Sequence, residues 1–451
     1  MASATTSDTA GDRLFGDFLG LPKQDRSYLI YLILIALFGW ALASYDFNLL
    51  VFALPTVSKA LHLSSTQTGL LVFIVYAVLF VITLFVGYAM DQKGRKWMWV
   101  FALCGAAVFT GLTYFAHNYW EFVTVRSLAS GLANSELAIS ITLVNEQVPA
   151  KRRGLLYSIV QGGWPVGVLI AAAVWLGLNQ VLDWHLIFVV GVAPLLFVIV
   201  ARMKVRESDR YLHVKELKEA KQAGDQHRVD ELLERYDVAI EEVDEVTVKQ
   251  IFLTPGWVRR QLIRTSLVWL AYAAAFTATN TYIIYWLVSF RGFGDNESTL
   301  IVLVAAAGGW FFYVIGGVLG ERFGRQRILV VSAVLLVALT ALWPWLSGDF
   351  ALWVVYFFIY QFSNGTWSGV GYAYWAESFP TRVRGTAIGW LGAMFSGGLL
   401  IGSAVWTGMI GHFSALTVWY VVAVGFSAVQ LLLTLTLPHI PSGQELEAIS
   451  T

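Results

Sequence analysis

Twelve long apolar runs punctuate the chain, near residues 28–55, 69–90, 97–115, 122–146, 155–178, 186–203, 262–290, 298–319, 328–346, 350–377, 386–410 and 416–437. Each has the length of a membrane-crossing helix, which needs about 20 residues to span the hydrocarbon core. The runs are continuous rather than alternating, which argues against a β-barrel. Between the sixth and seventh runs lies a polar stretch, 204–261. Its charged, helix-prone sequence (VKELKEAKQAG, RVDELLERYDVAIEEV) predicts short helices lying under the bundle. The expected fold is therefore an all-α membrane protein with twelve transmembrane helices in two six-helix bundles. A tail (1–27), a first bundle (28–203), a helical linker (204–261), a second bundle (262–437) and a tail (438–451) make up the expected organisation.

Composition narrows the function. The 451 residues are 57% hydrophobic and only 13% charged, about half the charged share of a soluble domain. A soluble enzyme, a nucleic-acid binder and a disordered scaffold are disfavoured together, and a net charge of zero removes the attraction to a polyanion. The single cysteine, Cys104, permits neither an internal disulfide nor a cysteine metal cluster. No two of the seven histidines stand three or four apart, and there is no G-x-S-x-G or Walker loop, so no enzyme activity, metal or cofactor is expected. Residues 1–27 are polar and mixed in charge, unlike a cleaved signal peptide, so the first run should stay in the membrane.

Charge position gives orientation. Loops after even-numbered runs carry eleven Lys and Arg residues, whereas those after odd-numbered runs carry two, Lys59 and Arg291. The positive-inside bias then puts both termini and the linker in the cytoplasm, as expected for a multi-pass protein of a plasma membrane such as a bacterial inner membrane.

The two halves repeat. Gly87-x-x-x-Asp91-x-x-Gly94-Arg95 returns 230 residues later as Gly317-x-x-x-Glu321-x-x-Gly324-Arg325. Glu146-x-x-Pro149-x-x-x-Arg153-Gly154 returns 231 residues later as Glu377-x-x-Pro380-x-x-x-Arg384-Gly385. Two motifs at nearly one offset indicate a duplication, and parallel six-helix repeats suit a transporter whose halves rock about a midplane site. Asp91, Arg95, Glu146, Arg153, Glu321, Arg325, Glu377 and Arg384 are candidate gating residues, because acidic helix ends can pair with basic loops in one conformer and part in the other. The alternative is that they only fix topology.

These motifs carry a resemblance. The loop GYAMDQKGRK (Gly87–Lys96) and its second copy are similar to the signature of the major facilitator superfamily of transporters, and the likeness runs over nearly the whole chain. Arg126-x-x-x-x-Gly131 resembles the fourth-helix pattern of proton-coupled members. Arg206-Glu-Ser-Asp-Arg-Tyr-Leu212 resembles the P-E-S-P-R-x-L sequence of sugar-porter-like members, with both prolines replaced. Tyr45-Asp46-Phe47 and the Glu136…Glu146 spacing resemble the sialate, monocarboxylate and aromatic-acid proton symporters. The resemblance implies proton-coupled transport by alternating access and a monomeric working unit.

Few charges lie in the expected spans away from their ends: Asp46 in the first, Arg126 and Glu136 in the fourth, and none in the interior of the last six. A charge at the bilayer centre costs at least about 2.5–3.5 kcal/mol, so each needs a reason. At about 1.5 Å per residue, Arg126 lies roughly 6 Å and Glu136 roughly 21 Å from the outer end of the fourth span. Asp46 and Arg126 fall at similar depth and are expected to pair, while Glu136 is expected to stand alone. A carboxyl in an apolar site keeps its proton more readily than one beside an arginine, and switching between the two is a coupling device. Asp46 and Glu136 are therefore the candidate proton sites. Arg126 is the candidate attractor of an anionic substrate or of a deprotonated carboxylate. A fixed salt bridge for Asp46–Arg126 and a neutral, hydrogen-bonded Glu136 are the plain alternatives.

Tyr45, Asn48, Gln161, Asn280, Tyr282, Gln361, Asn364 and Trp367 complete the candidate binding set, polar or aromatic groups within the spans that require a substrate or a helix partner. The glycine-rich stretch from Gly162 to Gly167 suggests close helix packing. The leading expectation is proton-coupled import of a small organic anion: a monocarboxylate, a hydroxy or sugar acid, or an aromatic acid. A neutral sugar or polyol symporter is the alternative. A drug exporter and a sensor built on a transporter scaffold fit less well, the latter because no substantial output domain accompanies the spans. The expected partners are the substrate, protons and lipid, and no nucleic acid.

Overall fold

In the computed structural model, residues 25–147, 156, 159–193, 196, 200, 202–207, 209–236, 252–253, 256–379 and 381–440 are described, some within helices by backbone alone. Among them the backbone is helical, joined by turns and short connections, with no strand. The first half contains α1 (Arg26–Ala60), α2 (Ser65–Lys93), α3 (Arg95–Leu112), α4 (Tyr119–Gln147), α5 (Gly163–Leu178) and α6 (Trp184–Val190). The polar stretch carries α7 (Asp209–Ala223) and α8 (Gln226–Tyr236), which bury Leu217, Ala220, Val229 and Leu232 against one another.

The second half is more broken. Its seventh span is α9 (Trp257–Phe276), a π-helical segment (Thr277–Thr281) and α10 (Ile283–Arg291). Two unbroken spans follow, α11 (Asp295–Phe323) and α12 (Arg325–Leu342). The tenth span is α13 (Asp349–Tyr360), a π segment (Gln361–Gly365) and α14 (Thr366–Glu377). The eleventh is α15 (Thr381–Ile410). The twelfth is α16 (Ala415–Trp419), a π segment (Tyr420–Gly425) and α17 (Phe426–Thr434). Among the described residues, nine helical stretches are long and apolar enough to cross a membrane. The remaining expected spans are the two polar ones, the fourth and tenth, and the sixth, which is described only in part.

Local chemistry sets the ends. Ser64 and Gln67 form a reciprocal capping box at the start of α2. The turns between α2 and α3 and between α11 and α12 are copies. Gly94 and Gly324 have φ of 97° and 94°, a conformation that favours glycine, and their N–H groups bond the carbonyls of Met90 and Gly320. Both α3 and α12 then tighten into a 3₁₀ turn, Thr113–Phe115 and Trp343–Trp345. The sequence repeat is thus a structural repeat.

Helices α1, α2, α3, α4 and α5 pack together in one bundle, and α9, α11, α12, α14, α15 and α17 in the other. The seam between them is made by α2 on α15 and by α5 on α11, equivalent positions in the two halves. Large apolar side chains including Phe85, Trp97, Phe101, Trp120, Phe311 and Trp345 are exposed on the outer surface, as lipid-facing positions should be. The end bearing Lys93–Lys96 and Arg322–Arg327 is called the basic end below, and the opposite one the far end.

Candidate functional site

Between the bundles lies a narrow cavity lined by Trp40, Gln161 and Trp164 of the first half and by residues of the seventh, eighth, tenth and eleventh spans in the second. Its volume, about 20 Å³, holds one water. Helical spacing builds the second wall: Tyr272 and Phe276 share a face of α9, and Asn364, Ser368 and Tyr372 share a face of the tenth span. Gln161 is 2% exposed, and among the described residues its Nε2 donor has no hydrogen-bond partner. A buried, unused donor is costly unless something else takes it.

The π segments of the seventh and tenth spans meet beside this cavity. Asn364 Nδ2 donates to Asn280 Oδ1 at 2.6 Å, and Asn280 Nδ2 to Ser363 Oγ at 3.5 Å. A π turn disturbs the i→i−4 ladder and needs outside partners. Tyr356 supplies one, its hydroxyl donating to the Thr279 carbonyl at 3.1 Å, and Tyr272 another, to the Ser363 carbonyl at 2.7 Å.

The first half carries two buried ion pairs. Asp46 and Arg126 are both fully buried, and Arg126 Nη2 lies 3.1 Å from Asp46 Oδ2. The same nitrogen donates to the Asp46 carbonyl at 3.0 Å, Nη1 approaches Oδ1 at 3.4 Å, and Thr110 donates to Oδ1. The ring of Phe188 lies under the guanidinium, 4.8 Å away.

The second pair corrects an expectation. Glu136 does not stand alone: Arg202 Nη2 lies 2.6 Å from its Oε1, with side-chain exposures of 0% and 1%. Trp99 joins them, its indole N–H donating to the same Oε1 at 2.7 Å while its ring lies 4.2 Å beneath the Arg202 guanidinium, which in turn donates to the Trp99 carbonyl. Glu136 Oε2 and Arg202 Nε have no hydrogen-bond partner among the described residues. Gly39 makes room for the pair, since a β-carbon there would lie 2.1 Å from Arg202 Nη2 and 2.5 Å from Glu136 Oε1. Its neighbour, Trp40, lines the central cavity.

Polar contacts also mark both ends. At the basic end Arg325 grips Glu377 through two 2.7 Å hydrogen bonds, with Glu321 at 3.8 Å. In the first half the backbone N–H groups of Arg95 and Lys96 donate to the Glu207 carboxylate, which occupies the start of α3, where the helix dipole favours an anion. The side chains of Asp91, Glu146 and Arg384, and all of Arg153, lie outside the described residues. At the far end the halves are joined by Tyr285–Ser65, Tyr282 to the Gly69 carbonyl, Asn179–Asn296 and Lys59–Asp295.

Against this geometry, the sequence profile of the Major Facilitator Superfamily matches residues 36–366 and 266–450. The chain belongs to that superfamily. A niacin transporter of Acinetobacter baylyi is 26% identical to it, over 79% of this chain and 81% of its own. A cis,cis-muconate transport protein of the same organism is 26% identical over 76% of this chain and 78% of its own. Among solved structures, a proton:xylose symporter superposes with a TM-score of 0.73 at 18% identity, covering 95% of this chain and 100% of that one. The chain is thus a multi-pass membrane transporter and not an enzyme.

In this superfamily member the candidate binding residues separate into four places. Gln161 and Asn364 line the cavity, with Asn280 behind Asn364. Gln361 turns to the Ala305 carbonyl, and Trp367 stacks on Tyr272 within the second bundle. Tyr282 stacks on Trp406 and bonds across the far-end seam. Tyr45 is buried beside Gly191, and Asn48 bonds back to Ser44, one turn earlier in α1. Arg126 is enclosed with Asp46 in the first bundle and does not line the cavity. The sequence reading missed Arg202, Trp99, Trp40, Tyr272, Tyr313 and Ser368. The i, i+4 spacing of Tyr272–Phe276 and Asn364–Ser368–Tyr372 was the signal available for the cavity wall. The close packing suggested for Gly162–Gly167 is present, because a β-carbon at Gly167 would lie 2.0 Å from the Ala41 carbonyl of α1.

Proposed function

We propose that the chain imports a small, flat organic acid together with protons, by alternating access, with its basic end in the cytoplasm of a bacterial inner membrane. The observation that carries the reading is the unused Gln161 amide donor in an aromatic-walled cavity at the seam between the halves. The space seen here holds one water, so the seam must widen for the substrate; a ring then lies against the aromatic walls and a carboxyl group takes the amide N–H. The relatives' names, niacin and muconate transporters, point to the same ligand class. Asp46 and Glu136 are the proton sites, each held by an arginine in one conformer and released in the other. Arg126 acts on Asp46 rather than on the substrate. The basic-end pairs around Arg325 and their first-half copies open and close that mouth, and the far-end bonds close the other. The first bundle, linker and second bundle move as the units expected from the repeat, and one chain is the working unit.

Uptake of labelled nicotinate and cis,cis-muconate into proteoliposomes, with and without an imposed inward proton gradient, tests the reading. Accumulation that follows the gradient and weakens at least tenfold in Gln161→Ala is the expected result. Absence of uptake of either acid, or indifference to the gradient, contradicts it. The lining residues of the cavity are uncharged, which also suits a neutral sugar or polyol. Accumulation of sugars in place of acids selects that second reading.

A further inference from the structure

A second cavity lies at the far end; the transport reading uses contacts on its wall as a gate but gives the space itself no occupant. It is about 420 Å³, large enough for a ring-bearing acid, and opens toward solvent. Its wall is shared between the halves: Lys59, Trp175, Asn179 and Trp184 come from the first, Asp295 and Asn296 from the second. Trp175 and Trp184 are buried and supply flat apolar surface. Asn179 Nδ2 is spent on Asn296 Oδ1, but among the described residues Asn179 Oδ1 and the buried Trp175 Nε1 have no hydrogen-bond partner. Lys59 is exposed and holds Asp295 at only 3.7 Å, while Asp295 Oδ2 accepts from Thr56. The cavity is therefore lined by a loosely held cation beside the Asp295 carboxylate and by tryptophans and an asparagine, with an indole N–H and an amide oxygen buried and unpaired just behind its surface.

We propose that this far-end cavity is a second binding site, for a ring-bearing organic acid with a hydroxyl or N–H donor, that is filled only while the far end is closed. The carboxylate goes to Lys59 and the indole N–H, the donor to Asn179 Oδ1, and the ring lies against the tryptophans. Because the wall exists only when Asn179 meets Asn296 and Lys59 meets Asp295, a ligand there favours the closed state over the open one. At high external concentration the acid then slows its own uptake. The inference rests on the organic-acid reading, and its test separates the two.

The protein itself offers a clean probe. Gly294 lines the cavity in an extended conformation with φ of −69°, and a β-carbon there meets nothing within 4 Å. Gly294→Phe should fill the space and leave the helix start and the Asn179–Asn296 and Lys59–Asp295 contacts intact. Equilibrium binding to the purified full chain should give two sites for labelled 3,4-dihydroxybenzoate and one for labelled nicotinate, whose pyridine nitrogen offers no donor. Gly294→Phe should remove the weaker site and abolish the decline of uptake at high external acid, with the tighter site unchanged. Trp175→Phe, which removes the indole N–H together with part of the flat wall, should weaken the second site at least fivefold, the scale of one lost hydrogen bond. Gln161→Ala should remove the tighter site and keep the weaker. One site for 3,4-dihydroxybenzoate, lost in Gln161→Ala and untouched by Gly294→Phe, overturns this proposal and leaves the organic-acid reading standing. No binding and no uptake of any acid overturns both.

Discussion

The two halves of the molecule share a repeat but divide its chemistry. The first keeps its helices α1 and α4 unbroken through positions 46, 126 and 136 and buries two carboxylate–arginine pairs there. The second interrupts the seventh, tenth and twelfth spans with π segments and uses neutral amides, hydroxyls and indoles. Its buried cation, Arg325, sits at the helix end, in a pair whose Glu377 is partly exposed. One copy of a duplicated scaffold has become a charge store, and the other a shaped wall. In the first, α1 and α4 stay regular at the ion pairs while side chains carry the electrostatic stress. In the second, the backbone itself is opened and tyrosine hydroxyls repair it.

That contrast predicts a graded response to mutation. The largest effect should come from stranding a buried charge. Arg202→Ala leaves Glu136 without its cation and should cost about 3–5 kcal/mol, while Glu136→Gln/Arg202→Met should recover much of it. Thermal melting of the purified protein in detergent measures both. If the double variant is no more stable than Arg202→Ala, the pair does not act as a unit. Next comes the space for the pair. Gly39→Ala should cost about 1–3 kcal/mol by overpacking, because the added carbon falls on Arg202 and Glu136. Gly389→Ala, in α15 with open space around it, should be near neutral, and equal losses at the two glycines would contradict the account.

Smaller effects belong to the second half. Tyr356→Phe removes the donor to the Thr279 carbonyl in the π segment, and should cost about 1–2 kcal/mol with slower transport. An unchanged melting curve and rate would mean that the π segment does not depend on this repair. Arg325→Lys exchanges a two-bond grip on Glu377 for a single contact at a partly exposed site. A loss below about 1 kcal/mol is expected, read best as a changed balance between conformers in accessibility labelling at the basic end.

How much of this was written in the chain depends on what kind of signal each feature leaves. The spans and the repeat are strong patterns: Gly94 and Gly324 announce the same turn because only glycine takes its φ easily. The Asp46–Arg126 pair followed from depth along two helices. Arg202 was missed because it lies near the end of an apolar run, where an arginine normally reaches toward the headgroups. Here Trp99 and Gly39 draw it inward instead. The π segments leave no mark in apolar periodicity, and Thr277–Thr281 contains neither glycine nor proline. The cavity wall was half legible: Asn364 and Gln161 stood out as polar groups in apolar runs, whereas Tyr272 and Phe276 look like ordinary packing until the partner bundle faces them.

The central claim is that the first half's ion pairs carry proton coupling while the seam carries the substrate. Gradient-driven accumulation and counterflow exchange of the same acid, compared in Asp46→Asn and Glu136→Gln proteoliposomes, test it most directly. The account predicts that both variants lose accumulation and retain exchange, since the cavity does not include these carboxylates. Accumulation at the level of the unaltered protein in both variants would contradict it.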